Sequence, residues 1–171
     1  MTHECQSSGG GTHWASSLIG LPWSAHGGEA ANERIAASGG GEAANERIAA
    51  SGGGVPASFN CWEFVRMVQA RHFDRTLPEI VNPDDTLALG RTFRDHPERR
   101  RWQAVPAPAD GDCVLLRRSR HPIHVGIWLA VDGGGVLHCS QDSGVVFQRA
   151  DALSLNGWAV AGFYRFAGDP A

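Results

Sequence analysis

Four cysteines and eight histidines carry most of the reactive chemistry in this 171-residue chain, and their settings differ. Cys61 lies in the run FNCWEFV. A free thiol titrates near about 8.5, so at neutral pH it needs help to act as a nucleophile. A helix beginning at Cys61 would aim the positive end of its dipole at the sulfur. The same backbone N–H groups could hold an oxyanion during acyl transfer. A buried structural thiol is the competing reading. Nucleophilic use also requires a base within reach. His124 opens the apolar run HVGIWLAV, and His138 follows in VLHCS. The intervening VDGGG reads as a hairpin turn, which can set the two rings side by side on adjacent strands. One would take the Cys61 proton and the other would orient the first. Taken singly, either histidine is more commonly a partly buried ring satisfied by backbone groups.

Those side chains need elements to position them. Residues 60–73 carry the clearest helical pattern, with Phe64, Val65, Val68 and Phe73 at helical spacing. Asn60 is a good N-cap, and Glu63 three positions on completes a capping box, so the helix is predicted to start at Cys61. Residues 13–23 read as a short helix ending in a turn at Gly20 and Pro22, and residues 86–93 as a further helix after a proline-punctuated loop. Beyond Arg99, Arg100 and Arg101 the pattern changes to short β-branched or aromatic runs. These predict strands at 112–118, 124–131, 135–140, 144–150 and 160–166. Helices followed by an antiparallel meander imply an α+β architecture, with N-terminal helices packed on one sheet of five to six strands.

Composition narrows the class. The chain is 42% hydrophobic and 19% charged with a formal net charge of −3, enough apolar material for one core. A near-neutral balance argues against a dedicated nucleic-acid binder. No run of eighteen apolar residues is present, so no membrane span is expected. Met1 to Gly11 is polar and Gly-rich, unlike a secretory signal peptide, and synthesis in the cytoplasm without an export signal is expected. Residues 29–41, EAANERIAASGGG, recur letter for letter as residues 42–54. Two such units are too few and too short for a stacked repeat fold and read as a flexible surface insert. His3, Cys5 and His13 match no standard zinc spacing, and no metal is expected. Cys113 and Cys139 sit inside apolar runs and read as core. All 15 positive charges are arginine. Those at 91–101 and 117–120 read as a solvated positive surface.

Taken in order, FNCWEFV, GDCVLL, HVGIWL and VLHCSQDSGV resemble the motif series of the NlpC/p60 cell-wall cysteine peptidases. That series runs F-D-C-[SW]-G-[LF]-V, G-D-hydrophobic, H-V-G-I-Y, then a strand ending H-A. The likeness covers the chain from about His13 to Phe166 outside the insert. It implies a papain-like fold, with Cys61 as nucleophile, His124 as general base and His138 as the orienting third residue. Trp23, in GLPW, falls where the family usually has a tyrosine lining the substrate cleft, and Asn60 and Trp62 flank the nucleophile as further substrate contacts. The implied substrate is an amide of the peptidoglycan stem peptide, with no metal or organic cofactor. On this reading residues 1–12 are a flexible tail and residues 13–171 a single catalytic domain, interrupted at 29–54. Trp62 and the downstream Leu77-Pro78 look most like the variant associated with phage tail tips. That variant implies tail-tip proteins as partners and action in the bacterial wall or periplasm from a virion tail or tail-like particle. The arginine surface could then attract anionic wall polymer or a tail protein. Asn60 stands in place of the usual aspartate, Glu63 in place of a small residue, and the insert in a loop that should border the groove. These departures leave room for a structural tail-tip protein with little activity. A related thiol amidase or acyltransferase is also open, because one triad supports several chemistries.

Overall fold

Asn60 does at a helix start what its side chain suits it for. Its Oδ1 accepts the N–H groups of Trp62 at 3.0 Å and Glu63 at 2.9 Å. The Glu63 carboxylate in turn accepts the N–H of Asn60 at 3.2 Å. This reciprocal cap opens α1 (Cys61–Phe73) at the predicted residue. Asp74 closes it in the left-handed conformation, at φ 51°. A computed structural model of the chain describes residues 12–25, 58–81 and 86–168. The N-terminal tail with His3 and Cys5, and the duplicated insert, lie outside the described residues.

The second helix, α2 (Thr86–Asp95), runs two residues beyond its predicted end. The stretch 13–23 is not the helix expected. It holds one 3-10 turn, Trp14–Ser17, capped by His13 Nδ1 accepting the Ala15 N–H at 3.2 Å. Gly20 at φ 86° and Pro22 stop the turn from growing.

Six antiparallel strands form one sheet: β1 (Trp102–Val105), β2 (Cys113–Arg117), β3 (Pro122–Leu129), β4 (Gly135–Ser140), β5 (Gly144–Arg149) and β6 (Ala159–Phe166). Their order is β1-β6-β2-β3-β4-β5. From β2 to β5 the sheet is the predicted meander, but β6 returns to lie between β1 and β2. The fold is α+β, and β1 is a strand beyond the five read from sequence.

Side chains alternate across the strands. Leu115, Val125, Ile127 and Leu137 face α1 and pack with its Phe64, Val65 and Val68 in the main core. Cys113 and Cys139 belong to this core, as expected. On the opposite face Val114, Leu116 and Val136 form a smaller core with Leu153 and Trp158. The GDC run has a structural use. Gly111 sits at φ 84°, where a Cβ would fall 2.5 Å from the Phe73 ring. The Asp112 carboxylate accepts from the Ala109 N–H at 2.8 Å and from Arg165 Nη2 at 2.7 Å.

Candidate functional site

The hairpin between β3 and β4 brings the two histidines together. Paired register starts at Ile127 opposite Leu137, and His124 and His138 both project toward the face of the smaller core. His124 Nε2 lies 2.9 Å from His138 Nδ1, with the rings edge to face at 4.9 Å and 81°. His138 Nε2 lies 3.0 Å from the Gln148 carboxamide oxygen on β5. Gly126 on β3 permits the approach, since a Cβ there would fall 2.8 Å from the His138 Cβ.

The other face of the pair is built from an indole and a cation. Trp158 stacks on His124 at 4.8 Å and 24°, and the Arg118 guanidinium lies 4.3 Å from the Trp158 ring. Arg118 also reaches Asp142 at 3.4 Å. His124 is 7% exposed and His138 fully enclosed. Burial, then the neighbouring His138 ring and Arg118, hold His124 well below the usual imidazole range. Burial pulls His138 down to about 4, with Arg118 adding to the effect and the Gln148 hydrogen bond opposing it. Both rings are therefore neutral near pH 7.

Cys61 is buried at the start of α1, and the backbone N–H groups of Val125, Trp62 and Cys61 itself all favour a charged sulfur. Burial outweighs them and pushes the thiol up to about 11. The helix start favours thiolate, as expected, but enclosure prevails and the resting sulfur carries its proton. The N-terminal amides are not equally available either. Asn60 engages those of Trp62 and Glu63, leaving the Cys61 N–H without another acceptor among the described residues. Neither imidazole is hydrogen-bonded to the sulfur. The link between them is the Val125 amide, one residue along from His124.

The remaining predicted site residues cluster around this point. Trp23 bridges Phe59 in parallel register, with Ser24 N–H to Phe59 O at 2.9 Å, so GLPW runs beside the approach to Cys61. Trp23 is half-buried against the main core. Trp62 is held by its Nε1–H to the Pro78 carbonyl at 3.0 Å. Asn60 is buried with its carboxamide oxygen committed to the cap. Beside Trp62 and Val125 opens a small apolar pocket, walled further by Leu89, Phe93, Trp102 and Tyr164. Several arginines read as a solvated surface lie on aromatic rings instead, Arg99 at 3.9 Å over Tyr164 and Arg101 at 4.8 Å over Phe166. Among the described residues no group of three or more His, Cys, Asp or Glu side chains is placed to hold a metal ion. No described helix is long and apolar enough to cross a membrane.

Sequence reasoning missed Gln148, Trp158 and Arg118. Gln148 left only a weak signal, a lone amide at the end of the apolar run GVVFQ. Arg118 was visible only as part of an arginine cluster.

A helix that opens on a cysteine, packed on an antiparallel sheet bearing two linked histidines, is consistent with the papain-like NlpC/P60 architecture. The sequence model of the NlpC/P60 family matches residues 50–160, and the chain belongs to that family. Its members are generally cysteine peptidases and hydrolases acting on peptidoglycan. No curated protein matches the chain.

Proposed function

We propose that this protein is a thiol peptidase that hydrolyses an amide bond in the stem peptide of peptidoglycan. The observation that carries the reading is the His124–His138 pair on β3 and β4, joined to the start of α1 by the Val125 N–H, next in the chain to His124, which hydrogen-bonds the Cys61 sulfur. In the proposed reaction the Cys61 sulfur attacks the amide carbonyl carbon as its proton passes to His124 Nδ1. The oxyanion takes a hydrogen bond from the Cys61 N–H. The C–N bond then breaks, the His124 proton goes to the leaving amine, and a thioester remains. Water, deprotonated by His124, attacks the thioester and returns the acid and the Cys61 thiol. With a thiol near 11 and neutral imidazoles, attack and proton transfer are coupled instead of starting from a stored ion pair.

Trp23 and Trp62 serve on this reading as walls of the substrate cleft, with Asn60 supporting the nucleophile from below. The finer assignment, a component of a phage tail or tail-like particle that opens the wall locally, rests on Trp62 and the Leu77-Pro78 segment. Cys61→Ala is expected to lower muropeptide hydrolysis at least about 10³-fold while the thermal midpoint stays within a few degrees. Hydrolysis that survives the substitution overturns the nucleophile assignment. For the particle assignment, the protein should co-sediment with tail particles from an induced culture. Its recovery only outside them would remove that assignment and leave the chemistry standing.

A further inference from the structure

Both histidines have two ring nitrogens, and general-base action at Cys61 needs a lone pair on the nitrogen that faces the sulfur. His124 Nε2 is occupied by His138, so the nitrogen left for that task is Nδ1. What decides that Nδ1 carries a lone pair and not a proton lies two strands away. Gln148 sits opposite Val136 in the β4–β5 register, two residues from His138 along β4, so it shares the His138 face of the sheet. Its carboxamide oxygen is 3.0 Å from His138 Nε2 and can only accept. His138 Nε2 must therefore donate. A neutral imidazole has one N–H, so His138 Nδ1 holds a lone pair and accepts from His124 Nε2–H at 2.9 Å. The single N–H of His124 is thereby placed on Nε2.

We infer that Gln148 is a positioning residue that sets the tautomer of both histidines and so presents the Nδ1 lone pair of His124 to Cys61. It touches neither sulfur nor substrate. Trp158 completes the arrangement by fixing the plane of the His124 ring. Without an acceptor at Gln148, His138 can place its proton on Nδ1. Two N–H groups would then confront each other unless His124 also moves its proton to Nδ1, which blocks the base.

The inference rests on the function proposed above for its kinetic consequence, and the test separates the two. Nitrogen-15 spectra of histidine-labelled protein at pH 7.5 should show Nε2–H and unprotonated Nδ1 on both rings, and Gln148→Leu should show mixed tautomers. Muropeptide kcat should fall about 10- to 100-fold in Gln148→Leu with KM within twofold. Gln148→Glu keeps the acceptor and adds a charge. It should restore the wild-type tautomers and move the His138 titration to higher pH, the direction in which a carboxylate favours imidazolium. The charged group facing the pair is Arg118, itself paired with Asp142; both are unchanged in these variants. Wild-type tautomers in Gln148→Leu, or a loss confined to KM, overturn the inference. Where Gln148→Leu does not fold, an unmoved His138 titration in Gln148→Glu overturns it instead. If the wild-type protein cleaves no muropeptide, the proposed function fails while the nitrogen spectra still decide the tautomer question.

Discussion

At Cys61 two influences pull the thiol in opposite directions, and their sum is readable only once the packing is known. Helix position and three nearby N–H groups favour the thiolate, yet enclosure wins and the sulfur stays protonated to about 11. Sequence reasoning reached the first influence through the capping box and had no access to the second, because enclosure comes from residues distant in the chain. His138 shows the same principle with a consequence for stability. Its ordinary value of 6.5 drops to about 4 in the folded protein. A depressed imidazole contributes stability above pH 6.5, and this contribution is lost as pH falls toward 4, where the unfolded chain binds the proton first. A difference of this size amounts to about 3 kcal/mol. Urea midpoints measured at pH 7 and pH 4 should show that loss, and His138→Asn should flatten the dependence. An equal slope in both proteins would remove His138 as its source.

At the scale of elements, the loop between β2 and β3 and the turn between β4 and β5 meet through Arg118 and Asp142 above Trp158. Arg118 adds to the lowering of both imidazoles. Replacing it with glutamine removes a positive charge that opposes imidazolium, so both rings should protonate more readily. The acid limb of the activity profile should move to higher pH, by a few tenths of a unit to about one unit. A pH-rate profile of Arg118→Gln against wild type checks this, and an unmoved limb would deny Arg118 that role. The helix start at Cys61, the hairpin and the pairing of its histidines were legible because each depends on local types: Asn60 and Glu63, then VDGGG. Strand β1 was not. It follows directly on three arginines, and of its four residues only Trp102 is buried, so no alternation betrays it. Trp158 was equally silent, since stacking on His124 depends on the path of the chain after β5.

For the whole molecule, Gly111 and Asp112 form the junction at which helix, sheet and turn are tied. Gly111 O accepts from buried Gln69 of α1 at 2.8 Å, its α-carbon faces Phe73, and Asp112 holds Arg165 of β6. Gly111→Ala would combine an unfavourable backbone conformation with a collision against Phe73, costing about 2–4 kcal/mol. Denaturant unfolding should register that loss, and a change below about 0.5 kcal/mol would show that Phe73 yields freely. The overall class was legible from the order of helical and strand patterns. The sheet order was not, because strand spacing in a sequence says nothing about which edge a late strand will choose. That choice has a consequence in time. Cys61, His124, His138 and Gln148 all precede residues 159–166 in the chain, yet β2 cannot close its open edge, nor β1 find its neighbour, until those residues pair between them. Until then the nascent chain presents unpaired backbone along β2. The sheet that carries His124 and His138 is therefore completed by a strand that lies beyond all four residues in the chain.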